Sequence, residues 1–231
     1  MRNLLLFLFS HRLLALARWD LHFLRIRIRN ALTLQRRRLR RFVATRQRPV
    51  FLNLGSGPRG MDEPHWVNVD GFRDRHVHFE LDFSRPLPFA DDSFDGVFCE
   101  YVLEHFSLED GLALASEVCR ILRSGGALRA VVPDAEFVMR RYFDAPFEIV
   151  ARRGSGGETP MEIVNSYFRQ RYEHQFLYDW TTLKTTLSRA GFTQILRVAF
   201  GEGRLRPQLA LDDKKYQWES LYVEASKLEP S

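Results

Sequence analysis

The chain has 231 residues, 45% of them hydrophobic and 27% charged. That composition excludes collagen, mucin-like stalks and wholesale disorder, and it suffices for one globular domain with an appendage. Charge is unevenly spread: residues 1–48 hold thirteen arginines against the single acid Asp20, a net +12, which leaves −7 for the rest of a chain whose total is +5. A basic arm on an acidic body points to an anionic partner for the arm, a membrane surface or a nucleic acid, or else to a solvated helix face. Cys99 and Cys119 sit among apolar neighbours and read as buried thiols in a reducing compartment, so the expectation is a cytoplasmic protein. With no paired histidine cluster, a structural metal site is not expected.

The arm (residues 1–48) lacks Pro and Gly, so a helix can run through most of it. Phe7, Leu14, Ala17, Leu21, Leu24, Ile28 and Ala31 recur at helical spacing, with Arg18, Arg25, Arg29 and Arg36 off that stripe. This basic amphipathic pattern suits either an interfacial membrane helix or a helix packed on the acidic body. The opening run Leu4–Phe9 is too short to span a bilayer. Ala15-Leu16-Ala17 mimics a signal cleavage site, but the broken apolar region and the arginines after it argue against one. Pro49 ends the arm.

The body, 49–231, begins with an apolar run, residues 50–54, that breaks into Gly55-Ser56-Gly57-Pro58: a buried strand feeding a glycine turn whose backbone can approach a ligand closely. Trp66–Asp70 reads as a second strand ending in an acid, the place where such folds hold ribose hydroxyls. Val77–Leu81 is a third strand ending at Asp82, and 94–100 a fourth, with Val102-Leu103-Glu104-His105 at its exit. Leu108–Leu122 has helical spacing behind a Ser107 cap and ends at Ser124-Gly125-Gly126, before a fifth strand over 127–132 closed by Pro133-Asp134. Residues 135–180 are irregular and rich in aromatics, with a loop at Gly154-Ser155-Gly156-Gly157. Thr181–Ala190 is a helix, 192–200 the sixth strand and 220–225 the last.

Four segments, LNLGSGP, WVNVD, RPLPFADDSFDGVFCEYVLEHF and EVCRILRSGGALRAVVPD, stand in order and at family spacing. Together they resemble class I S-adenosylmethionine-dependent methyltransferases, and most nearly the bacterial branch associated with surface-polysaccharide and cell-envelope biosynthesis. The resemblance covers residues 50–134 and, more faintly, Tyr172 onward. It implies an α/β fold: a Rossmann-like, doubly wound, mostly parallel seven-stranded sheet with an antiparallel strand near the C-terminus. It implies S-adenosylmethionine as cofactor. Asn53, Gly55, Ser56 and Gly57 would form the turn around its methionine part. Asp70 would bind the ribose, Asp82 and Phe83 would meet the adenine, and Glu100 with Tyr101 would line the floor. Segment 135–180 would be an acceptor-side lid.

The chain departs from the family at Asn53, where an acid is usual, and at Arg59, where a glycine is usual. It also departs in having only eight residues between Gly57 and Trp66, fewer than a parallel crossover helix needs. The first crossover helix is therefore expected to be reduced, with the arm covering the sheet it leaves bare. A displacement at a sulfonium carbon needs alignment and dryness, and a base only if the acceptor is a hydroxyl or a protonated amine. His105, Asp134, His174 and Tyr178 are the candidates, His174 foremost because it lies in the aromatic lid, and no metal is expected. The expected acceptor is a small or lipid-linked cell-envelope saccharide. The alternatives are an RNA methyltransferase anchored by its arm, nucleic acid being the less favoured partner, and a non-catalytic cofactor-binding scaffold. A nicotinamide dehydrogenase is disfavoured, because its glycine pattern and crossover helix are missing.

Overall fold

The computed structural model describes residues 11–61, 64–153 and 157–227. Seven strands form one sheet: β1 (Phe51–Leu54), β2 (Trp66–Asp70), β3 (Phe79–Glu80), β4 (Phe94–Glu100), β5 (Leu122–Pro133), β6 (Gln194–Val198) and β7 (Ser220–Ser226). Their spatial order is β3-β2-β1-β4-β5-β7-β6. The first five are parallel, while β7 runs antiparallel to β5 and to β6. The order reverses between β1 and β4, the switch point at which α/β sheets open a cleft beyond their strand tips.

Side chains alternate across the sheet, so β1 sends Leu52 and Leu54 to one face and Phe51 and Asn53 to the other. The Leu52 face is the larger core. Upon it pack α3 (Leu108–Ile121) through Leu114, Ala115 and Val118, and α7 (Trp180–Arg189) through Leu183 and Leu187. The Phe51 face joins Trp66, Phe98, Val131 and Tyr222, and loops rather than helices cover it: Met61 from the β1–β2 connection, then Leu205, Leu209 and Leu211 from the segment before β7.

The arm makes two helices, α1 (His11–Leu32) and α2 (Gln35–Ala44). The helical arm is broken once: Leu34 turns left-handed, with φ 51°. Asn30 and Gln35, on either side of that break, both donate to the Glu80 carbonyl of edge strand β3. Helix α2 buries Leu39 and Val43 in the Leu52-face core. This amends the expected cover. Right-handed crossovers place the missing β1–β2 helix on the Phe51 face and a β3–β4 helix on the Leu52 face. The β3–β4 connection, residues 81–93, also lacks a helix. Thus α2 fills the place of a β3–β4 helix, while loops fill the first one.

Helix α1 docks with Trp19, His22, Phe23 and Ile26. His22 stacks on Phe72 at 4.6 Å, and its Nε2 lies 2.8 Å from the Gly71 carbonyl oxygen. The stripe read from the sequence is not this face. Leu21, Leu24 and Ile28 are 52%, 43% and 52% exposed and lie on the opposite side of the helix, together with Leu13 and Leu32. Leu14 and Ala15 have no described side chains, and Phe7 lies outside the described residues.

Three further boundaries shift. Strand β5 starts at Leu122, directly after α3, because Leu122 already pairs with Phe94 ahead of an irregularity in register; Gly125, with φ 68°, lies inside the strand and not at a helix cap. Strand β3 is only two residues, and β6 stops at Val198. The region after β5 folds into α4 (Ala135–Asp144), α5 (Pro146–Arg153) and α6 (Pro160–Arg169), a small helical cap around Val138, Ile149, Ile163 and Tyr167. Gly154, Ser155 and Gly156 lie outside the described residues.

Candidate functional site

The tips of β1 and β2 build a backbone cradle. Gly55 and Gly57 take φ 77° and 47°, conformations that favour glycine. The N–H groups of Gly55 and Ser56 both donate to the Val69 carbonyl. A methyl group on Gly55 would lie 2.2 Å from Val102 Cγ2, whereas one on Gly57 would meet nothing within 4 Å and so points into open space. The Asp70 carboxylate accepts from Gly57 N–H at 2.7 Å and from Phe72 N–H at 2.8 Å. Each of its oxygens keeps a second lone pair for a diol. Ser56 is buried, and its Oγ has no hydrogen-bond partner. These features suit a polar ligand with a ribose end.

Asp82 and Phe83 line a cavity of about 230 Å³ walled from the other side by Leu16, Trp19 and Phe23 of α1. Asp82 Oδ1 accepts from Ser84. Its Oδ2 lies 3.4 Å from Arg27, close enough for an ion pair, and makes no hydrogen bond. A flat heteroaromatic ring with an exocyclic amine suits this apolar slot with one spare acceptor. The arm's share in the cavity was not foreseen; Trp19 and Phe23 were the residues left off the sequence stripe.

Asn53, Glu100 and Tyr101 are tied to the protein itself. The Asn53 amide donates to the Arg59 carbonyl at 3.1 Å, closing the glycine turn on itself. Arg59 pairs with Glu100 at 2.7 Å and lies 3.3 Å from Asp213, and Glu100 also accepts from Asp213 N–H. Arg59 thus fastens the turn to the loop before β7. Burial is the main influence on the Glu100 carboxyl and pushes it above the usual range. Tyr101, with φ 56°, stacks on Tyr216 at 4.1 Å, and its hydroxyl meets Ser220 and Glu219.

A second, polar cavity of about 890 Å³ lies between the strand tips and the helical cap. It is lined by Tyr101, His105, Arg153, Arg169, His174 and Lys215 among others. His105 and Glu173 line both cavities, so the two meet there. The two histidine rings stand edge to face with centroids 4.9 Å apart. Burial pushes His174 down to about 4, and it lowers His105 as well. Beneath them Glu104 is fully buried, neither carboxylate oxygen has a hydrogen-bond partner, and burial pushes its carboxyl up to about 8.

The remaining candidates fall away from the cavities. Asp134 caps α4 by accepting from Phe137 N–H and pairs with Arg197 at 3.0 Å, so both oxygens are engaged, and it lines neither cavity. Tyr178 is buried in the larger core. Glu104 is the residue that the reading of the sequence passed over. It stood in the quoted motif beside His105, but only the fold shows that its carboxylate points inward without a donor.

Residues 67–130 match the model of a methyltransferase domain. No curated protein matches the chain. Among solved structures, the chain is similar to an S-adenosylmethionine-dependent methyltransferase from Archaeoglobus fulgidus at 16% identity, over 84% of this chain and 94% of that one, with a TM-score of 0.47. It is also similar to an S-adenosylmethionine-dependent methyltransferase from Thermotoga maritima at 18% identity, over 89% and 96%, with a TM-score of 0.47.

Proposed function

We propose that this S-adenosylmethionine-dependent methyltransferase acts on an anionic saccharide, free or lipid-linked, of the cell envelope, at a membrane surface. The observation that carries the reading is the junction of two unlike cavities at His105: a narrow apolar one beside Asp82 and a broad polar one lined by Arg153, Arg169 and Lys215. The bound cofactor supplies a methyl group already activated by the sulfonium charge. Gly55, Ser56 and Gly57 would cradle its amino-acid end, Asp70 the ribose and Asp82 the adenine. The helical cap holds the acceptor and excludes water, and Arg169 and Lys215 attract its negative charge. His105, half-buried where the two cavities meet, marks the place where the acceptor's reacting atom comes up to the cofactor's methyl group.

The membrane surface is supported by α1. Its solvent face carries Leu13, Leu21, Leu24, Ile28 and Leu32. Arg18 and Arg25 border that face, and neither has an ion pair among the described residues. Such a face fits an anionic bilayer better than an RNA backbone, which offers nothing to cover leucines. No helix among the described residues is long and apolar enough to cross a membrane.

The test is transfer of labelled methyl from S-adenosylmethionine to fractionated envelope extracts, alongside flotation of the protein with phosphatidylglycerol vesicles. Label in a glycan or glycolipid fraction and flotation that is lost in Leu24→Glu/Ile28→Glu support the reading. Label in RNA, or flotation unchanged by the substitutions, overturns it.

A further inference from the structure

Glu104, His105 and His174 come from two separate stretches, the exit of β4 and the turn after α6, yet their ligand-type atoms all lie within 4.8 Å of one another. Each histidine has its Nδ1 against a backbone carbonyl: His174 at 2.6 Å from Tyr167 O, and His105 at 3.2 Å from Glu173 O. A carbonyl only accepts, so Nδ1 must carry the proton on each ring, and Nε2 is left with its lone pair. That is the orientation in which a histidine serves as a metal ligand, with its other nitrogen fixed by a second partner. His174 is 6% exposed and its Nε2 has no hydrogen-bond partner; Glu104 is 0% exposed and both of its oxygens lack one. Buried acceptors without donors are costly, and here several converge on one point from two elements.

We propose that Glu104, His105 and His174 bind one divalent transition-metal ion at the floor of the larger cavity. Two imidazole nitrogens and one carboxylate suit zinc, manganese, iron or nickel, and suit magnesium or calcium poorly. Three protein ligands leave coordination positions open toward the cavity that His105 and His174 line. An acceptor hydroxyl bound there would release its proton to water in the open cavity near neutral pH, and its oxygen would then form the bond to the methyl carbon as the carbon–sulfur bond of the cofactor breaks and S-adenosylhomocysteine leaves. That role rests on the methyl-transfer reading; the site itself does not.

Metal-stripped full-length protein is titrated with Zn²⁺ and Mn²⁺ by calorimetry, with Mg²⁺ for comparison, and its metal content is measured after dialysis. One equivalent is expected to bind, at least tenfold more weakly in Glu104→Gln and in His174→Ala. The melting temperature is expected to rise roughly 5–10 °C at a hundredfold excess over Kd. Because His174 is buried and its replacement leaves a gap under the cap, the half-buried His105→Ala is run beside it, with circular dichroism as the check on folding. Binding of similar strength in all variants, or no transition metal held more tightly than magnesium, overturns the proposal. Affinity for S-adenosylhomocysteine, measured separately, tells a failed metal site from a failed methyltransferase reading.

Discussion

Replacing Leu39 with alanine tests whether α2 does the structural work of a crossover helix. Leu39 is 0% exposed and lies in the same core as Leu52, Val67 and Leu81. Removing its side chain forfeits its burial and leaves a cavity, because the sheet beneath cannot move up to fill it. Large-to-small changes at such sites cost about 2–5 kcal/mol. We take about 3 kcal/mol, since α2 is a surface layer with some freedom to settle. For a chain of this size that lowers the melting temperature by roughly 6–12 °C. Leu32→Ala, in the same arm at 79% exposure, is the control and should lie within about 0.5 kcal/mol of the parent. Urea unfolding followed by tryptophan fluorescence gives both values. Should the two variants unfold at the same urea concentration, the arm is not part of the folded body and the argument about crossover handedness fails.

Gly55→Ala adds a methyl that would lie 2.2 Å from Val102 at φ 77°, and should cost about 2–4 kcal/mol. Adding Val102→Ala relieves the overlap but not the dihedral, so urea midpoints should recover only in part. Full recovery, or no initial loss, contradicts the geometry. Trp19→Ala should weaken S-adenosylhomocysteine about 3- to 10-fold in calorimetry, since it opens one wall of the Asp82 cavity; unchanged affinity removes the arm from the site. Hydrogen bonding to Arg120 holds the Glu117 carboxyl below its ordinary value, and Thr182 does the same for Asp179. A depressed folded value means stability that is present above the unfolded value of about 4 and lost as the pH falls through the folded one. The gap in urea midpoint between the parent and Arg120→Gln should therefore hold steady from about pH 7 to 5 and narrow below about 4. Parallel curves for the two proteins would contradict the pairing.

Much of the sheet was legible because buried parallel strands are short apolar runs that end at glycine or acid. The runs at 50–54, 66–70 and 94–100 have no competing helical period. The glycine turn and Asp70 were legible for the same reason: they follow strands directly, so their place at the tips is set by sequence. The docked face of α1 was not. The helix carries two apolar faces, and periodicity selected the leucine-rich one, whereas the bare β3 edge and Gly71 hold the face with His22 and Phe23. Nor could spacing show that α2 lies on the Leu52 face, because the side of the sheet follows from the handedness of connections that the arm does not share. Asp134 looked like a base because it ends a strand at the cleft edge; the start of α4 takes it instead as a cap. The meeting of Glu104 and His105 with His174 depends on α6 and the turn after it, a contact across about seventy residues that no local pattern encodes.

The central claim is that the tips of β1 and β2 hold an adenosyl compound through Asp70. Calorimetric titration of S-adenosylhomocysteine into the parent protein and into Asp70→Asn tests it most directly. Hydrogen bonds to a charged group are worth about 1.5–3 kcal/mol, so about one equivalent should bind the parent and the variant should bind at least about tenfold more weakly. No heat of binding in the parent, or equal affinity in the two proteins, would contradict the account.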